Sequence, residues 1–312
     1  GGSNFNPKGK SDNEIRSFCR AFMIELHRHI GVDLDVPAGD IGVGGREIGF
    51  LFGMYKQLAR GNSGALTGKD PLIGGSLGRT EATGHGIVYF AEAMAEHHKL
   101  ELSGMKAVVS GAGNVAEFTA RKLIEKGVTV LTLSDRGGYI HKAEGLTYSD
   151  IDTIAREKDA GKNLSDIKIS GANYEAGKPW QKVAADVYFP CATQNEIDKA
   201  DAEVIAKHAK FLVEGANMPL NAEAVEVLRE HKIVFAPGKA ANAGGVSVSG
   251  LEMAQNASHY SWTHERVEEE LQKIMKHIHS QCVVHGRTDS GYVDYVNGAN
   301  IAGFKRVLSG MK

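Results

Sequence analysis

The sequence predicts an α/β protein: a doubly wound, mostly parallel sheet in the middle of the chain, with a second domain supplied by helical segments at both ends. Three observations predict it. Short apolar runs alternate with helical patterns between residues 106 and 236. The first run ends in a Gly-x-Gly-x-x-Ala turn. Before and after this region the apolar residues recur at helical spacing, and strand-length runs are at most short.

The chain has 312 residues, room for two domains that each bury a core. Hydrophobic residues make up 42% and charged residues 24%, ordinary for a soluble globular protein. Lys+Arg 36 against Asp+Glu 38 gives a net charge of -2, which offers no electrostatic footprint for nucleic acid or an anionic membrane. Cys19, Cys191 and Cys282 are far apart and show no metal-ligand or disulfide spacing, so a reducing cytoplasm fits and no metal is expected. No apolar run approaches the roughly 20 residues of a membrane span.

From the N-terminus, Ser11-Asp12-Asn13-Glu14 is a capping box, and Ile15, Phe18, Cys19, Phe22, Met23, Leu26 and Ile30 follow at helical spacing until Gly31. A second helix is expected over about 46–59 and a third over 80–98, with a glycine-rich loop over 61–78 between them. Lys106–Ser110 and Val128–Leu133 read as strands around a helix that runs to Gly127, a βαβ unit. Further strands are expected at 186–190, 211–214 and 233–235, with helices near 194–208 and 221–230. Helices at 243–260, 263–287 and 294–311 close the chain. The expected division is 1–78 and 239–312 for the helical domain and 79–238 for a dinucleotide-binding domain.

Gly111, Gly113 and Ala116 form the glycine turn that ends the first strand and opens a helix at Asn114 and Val115. Gly111 permits the sharp turn, Gly113 admits a pyrophosphate to the backbone, and Ala116 still allows close helix packing. The helix N-terminus supplies free amides for phosphate. Strand, turn, helix and second strand together make this a Rossmann-like unit. At the end of the second strand, Asp135 lies 24 residues beyond Gly111, where an acid meets an adenine ribose and favours NAD. Ser134 and Arg136 beside it favour the 2′-phosphate of NADP, so the two signals conflict; a solvated turn is the third possibility.

Other loops follow strands, at the sheet edge where ligands lie. Cys191-Ala192-Thr193 is one; Cys191 reads as a buried small hydrophobe, since no His stands near it in sequence. Asn217 offers both a donor and an acceptor, suited to a ribose or carboxamide, or to the turn itself. In the run 239–249, Ser249 is either a donor to a carboxylate or a helix serine bonded to its own backbone. Near the N-terminus, the run 37–47 sets Asp40 among glycines. A turn or cap is the commoner use of such an acid, but small neighbours also permit close approach to a ligand.

Long stretches of the chain resemble the hexameric glutamate dehydrogenases, above all their small NADP-dependent form. These include GGSNFNPKGKSDNEI from Gly1, DVPAGDIGVGGREIGFLFG from Asp35, LTGKDPLIGGSLGRTEATGHG from Leu66, VSGAGNVA from Val109, PCATQNEI from Pro190, VEGANMP from Val213, APGKAANAGGVSVSGLEMAQNAS from Ala236 and NGANIAGFKRV from Asn297. The resemblance implies reversible oxidative deamination of L-glutamate to 2-oxoglutarate and ammonia, with hydride passing to NADP, NAD being the other coenzyme. It implies Asp40 as the proton-transfer acid, and Gly39 and Ser249 as substrate contacts. Thr83, Asn114, Ala192, Thr193 and Asn217 would line the coenzyme cleft of a cytoplasmic homohexamer. A carboxylate in such a loop is expected to be partly desolvated, which favours its protonated form. The helical ends would then form an incomplete substrate domain. The family's substrate-binding and catalytic lysines would precede Gly1, so this chain alone is expected to have little activity. Two rivals stand beside this expectation: a related dehydrogenase for apolar amino acids, which would not need Ser249, and a non-catalytic nucleotide-binding subunit.

Overall fold

The computed structural model describes residues 2–40, 42–61, 64–289 and 291–311; Gly1 and Ile41, which belong to stretches singled out above, lie outside them. The chain divides into two compact units, Gly1–Thr80 with Val246–Glu270, and Glu81–Gly245 with Leu271–Lys312.

In the first unit, α1 (Asp12–Leu26) starts at the expected capping box, where the Ser11 amide donates to Glu14 at 2.9 Å. Next comes α2 (Gly45–Ala59). Ile15, Cys19 and Met23 of α1 and Ile48, Phe52 and Tyr55 of α2 are buried together with Ala65 and Leu66. Burying each large side chain contributes on the order of 2 kcal/mol, and this stripe holds the helix pair together.

The second unit holds the sheet. Its strands are β1 (Lys106–Val109), β2 (Thr129–Ser134), β3 (Gly138–His141), β4 (Asn173–Ala176), β5 (Val187–Phe189), β6 (Phe211–Val213) and β7 (Val234–Ala236), in the order β4-β3-β2-β1-β5-β6-β7 among the described residues. β2, β1, β5, β6 and β7 run parallel, while β3 and β4 form an antiparallel edge that the sequence pattern does not announce. The parallel strands are short and apolar because helices cover them: α3 (Ala82–His97), α4 (Asn114–Glu125), α5 (Tyr148–Asp159), α6 (Lys199–Ile205), α7 (Ala222–Glu230) and the short α8 (Gly238–Ala241). The helix expected over 194–208 starts only at Lys199. Ile197 pairs with Leu220 as an isolated bridge, and the Asp198 side chain then caps the helix by accepting from the Asp201 amide at 3.0 Å.

α9 (Gly244–Ser258), α10 (His264–Gly286) and α11 (Tyr295–Gly310) complete the chain. The whole of 239–312 was expected to return to the helical domain. Only Val246–Glu270 groups with the first unit; Leu271–Lys312 groups with the sheet. Packing explains this. Gly298 of α11 crosses α10 so closely that a Cβ there would stand 2.1 Å from the Cys282 carbonyl oxygen. Tyr295 and His279 set their rings against Phe90 of α3, with centroids 6.0 and 5.4 Å away.

His279 lies in this junction, 6% exposed, its Nε2 3.0 Å from the Tyr295 hydroxyl, which also reaches His98 Nε2 at 3.3 Å. Burial first, then the neighbouring His97 and His98, pull its pKa from 6.5 down to about 4. The unfolded chain therefore binds a proton that the folded chain refuses, so stability is lost as pH falls from about 6.5 toward 4. The stability advantage of wild type over His279→Leu is expected to shrink by about 3 kcal/mol across that window. Urea unfolding at several pH values measures it, since the two proteins share every titrating group outside this junction. A pH-independent difference would refute the assignment. Among the described residues, no helix is long and apolar enough to cross a membrane.

Candidate active site

In the first unit Asp40 occupies a tight turn. Its amide donates to the Val43 carbonyl at 3.1 Å and its carbonyl accepts from the Val43 amide at 2.8 Å. Gly42 has φ +73°, a conformation that favours glycine. Gly39 is equally constrained, since a Cβ would lie 2.8 Å from the Val43 carbonyl oxygen. The expected desolvation of Asp40 is not found: it is exposed, because the glycines around it carry no side chains to cover it.

The turn connects to Ser249 through one neighbouring segment. The Thr67 amide donates to the Pro37 carbonyl at 3.0 Å, and the Thr67 hydroxyl donates to Ser249 Oγ at 3.1 Å. Arg79 Nε donates to the same oxygen at 2.9 Å. Ser249 is 8% exposed, and its partners are side chains of other elements. Two incoming donors fill its acceptor sites, which leaves its own proton for an acceptor. Burial lowers the pKa of the Arg79 guanidinium, while the charge of Glu252 acts in the opposite direction. Thr67 and Arg79 escape a reading of the sequence because they join Ser249 only through contacts 182 and 170 residues long.

In the second unit β1 and β5 lie side by side where the strand order changes direction, the usual ligand position in such sheets. Gly111 has φ +85° and passes close to Cys191, whose carbonyl oxygen would be 3.0 Å from an added Cβ. Gly113 has open space at that position, and α4 begins behind it with no side-chain cap. Asn114 is exposed and Val115 half-buried in the first turn, where the amides are unmatched within the helix. Thr83 is half-buried in the first turn of α3.

Around the second-strand turn, the structure separates residues that the sequence leaves together. Ser134 is 6% exposed and its hydroxyl accepts from the Gly111 amide at 2.9 Å, so it braces the glycine turn and is not presented to solvent. Asp135 accepts from the amides of Gly137 at 2.9 Å, Gly138 at 3.3 Å and Leu164 at 3.0 Å, with Lys158 Nζ 3.7 Å away. These bonds, against the opposing effect of burial, hold its carboxyl below the usual range. Arg136 is exposed.

Ala192 and Thr193 are exposed after β5. Their turn is held by Glu196, which accepts from the Ala192 amide at 3.1 Å and from the Ser110 hydroxyl at 3.0 Å; burial pushes its pKa up to about 7. Cys191 is buried, and that burial raises its thiol, as befits an inert small hydrophobe. Exposed Asn217 accepts from Asn242 Nδ2 at 2.8 Å. Glu214, raised by burial to about 7, accepts from the Gly238 amide at 2.6 Å. Glu196 and Glu214 support the loops at the strand ends; a lone acid inside a strand-loop segment gives no sequence signal of that role.

A glycine turn at the change of strand order, an uncapped helix behind it and a separate acid loop define a dinucleotide-dependent oxidoreductase. The profile of the glutamate/leucine/phenylalanine/valine dehydrogenases matches residues 74–312, and that of the Glu/Leu/Phe/Val dehydrogenase dimerisation domain matches 1–57. The chain belongs to this family. It is 51% identical to the NADP-specific glutamate dehydrogenase of Psychrobacter sp. (strain TAD1), covering 100% of this chain and 71% of that protein. The NAD-specific glutamate dehydrogenase of Bacteroides fragilis is 49% identical over the same shares. Among solved structures, Plasmodium falciparum glutamate dehydrogenase superposes with a TM-score of 0.94 at 45% identity, covering 98% of this chain and 66% of that one.

Proposed function

We propose that the chain serves the reversible oxidative deamination of L-glutamate to 2-oxoglutarate and ammonium, with NADP as coenzyme and NAD as the alternative, and that the chain alone turns over slowly, as the resemblance implies. The observation that carries this reading is the convergence of Arg79 and the Ser249 hydroxyl in the first unit. A half-buried guanidinium and a donor hydroxyl suit a side-chain carboxylate; an apolar side chain would leave both without that partner, at a cost of about 1–3 kcal/mol. That disfavours the related dehydrogenases of apolar amino acids. Retention of both a substrate pocket and an acid loop disfavours a purely nucleotide-binding role.

The glycine turn fits the coenzyme: Gly113 leaves room for a pyrophosphate and the first amides of α4 face it. NADP is favoured over NAD because the oxygens of Asp135 are engaged by Gly137, Gly138 and Leu164, while Arg136 is exposed on the same turn. When bound, the coenzyme supplies the hydride acceptor or donor. The chain's own groups do the rest. Arg79 and Ser249 seat the substrate's side-chain carboxylate. Asp40 takes a proton from the substrate ammonium, since hydride leaves the α-carbon only once the amine is neutral. Gly39 presents backbone beside it. The cytoplasm, and assembly as a homohexamer, belong to the same proposal; the dimerisation-domain match supports an oligomer.

Turnover with L-glutamate, L-leucine and L-norvaline, each with NADP and with NAD, tests it. Glutamate with NADP is expected to exceed the apolar substrates in kcat/KM by at least about a hundredfold. Equal turnover of leucine would refute the substrate assignment, and a strong NAD preference would refute the coenzyme assignment.

A further inference from the structure

One helical turn beyond Ser249, Glu252 is buried opposite Lys69, with side chains 0% and 1% exposed and Oε1 2.6 Å from Nζ. The carboxylate also accepts from the Gly68 amide at 3.0 Å and the Lys69 amide at 3.4 Å. Lys69 Nζ donates to the Leu66 carbonyl as well and stands 5.5 Å from the Phe52 ring centroid. A pair this deeply buried adds little net stability, because desolvation of both charges offsets their attraction. Its two charges call for another account.

Arg79 supplies one. Glu252 already acts on it, opposing the effect of burial on the guanidinium. A Glu252 without its lysine would leave an unpaired charge one helical turn from Ser249, whose Oγ meets Arg79 Nε at 2.9 Å. The pocket would then present a neutralised guanidinium, and a substrate carboxylate entering it would meet a buried anion of its own sign. Lys69 and the two amides hold Glu252 in place and offset much of its charge, so that Arg79 keeps most of its own beside Ser249.

We infer that Lys69 is a specificity-determining positioning residue, a role that rests on Arg79 and Ser249 being the seat of the substrate's side-chain carboxylate. By neutralising Glu252 it keeps the pocket cationic, without touching substrate itself. Loss of the lysine and loss of the glutamate then have unequal consequences. Lys69→Met exposes Arg79 to an unpaired carboxylate. Glu252→Gln keeps an acceptor for the Gly68 amide and removes the competing charge.

Calorimetric titration of the 312-residue chain with glutarate, a dicarboxylate without an amine, reads this directly. Lys69→Met is expected to weaken glutarate binding by at least about tenfold. Glu252→Gln and the double variant Lys69→Met/Glu252→Gln are expected to bind within about threefold of wild type. In turnover, Lys69→Met raises KM for glutamate by the factor seen in binding and leaves kcat within about threefold. Wild-type affinity in Lys69→Met overturns the role of Lys69 alone. So does a Glu252→Gln variant as weak as Lys69→Met, since the pair would then be only structural. If Lys69→Met does not fold, the double variant decides: tight binding upholds the charge account and loss of binding overturns it. A wild-type chain that ignores glutarate overturns the carboxylate seat, and the role of Lys69 with it.

Discussion

Asp40→Asn is expected to lower kcat for glutamate oxidation about a thousandfold while KM stays within about threefold. The amide keeps the size and the turn. Among the described residues Asp40 contributes only backbone hydrogen bonds to that turn, with Val43, and its side chain is exposed, so stability should move by no more than about 0.5 kcal/mol. What the variant loses is a group able to take and return the proton of the substrate ammonium. Coenzyme absorbance gives kcat, and thermal unfolding checks the fold. A variant with kcat within about tenfold of its parent would remove Asp40 from the chemistry and leave the turn as a structural feature.

Arg79→Met is expected to act on binding. Methionine keeps much of the apolar stem volume and removes the guanidinium that meets Ser249 Oγ at 2.9 Å. The KM for glutamate should rise about a hundredfold, in line with the loss of a largely desolvated charged hydrogen bond. The KM for norvaline, which ends in a methyl group, should change little. The preference for glutamate therefore collapses toward unity, a result that a general loss of folding cannot mimic. A glutamate KM within about threefold of wild type would refute the role.

Parts of this architecture are legible in the residues themselves. Lys106–Val109, Val187–Phe189 and Phe211–Val213 are short apolar runs bounded by turns, and their parallel pairing follows from the helices between them. Gly111 and Gly113 announce their turn because the backbone there needs the absence of side chains. The antiparallel edge is not legible: Gly138–His141 and Asn173–Ala176 are mixed in polarity, and their pairing is set by contact across an intervening helix. Asp135 shows the opposite difficulty. Its position suggests a ribose ligand, yet its carboxylate is engaged by the nearby Gly137 amide and the distant Leu164 amide, a use that spacing alone cannot distinguish. Arg79, Lys69 and Glu252 are ordinary charged residues in sequence, and only the fold brings them to Ser249.

The discontinuous first unit also bears on how the chain is made. Lys69 leaves the ribosome 183 residues before Glu252, its buried partner. At ordinary elongation rates of about 5–20 residues per second, that gap lasts on the order of ten to forty seconds. During that interval α1 and α2 can pair, but the segment carrying Thr67 and Arg79 has neither Ser249 nor Glu252 to close on. Synthesis pauses or chaperone contact in this window would act on the first unit, and the last helices are required before either unit is whole.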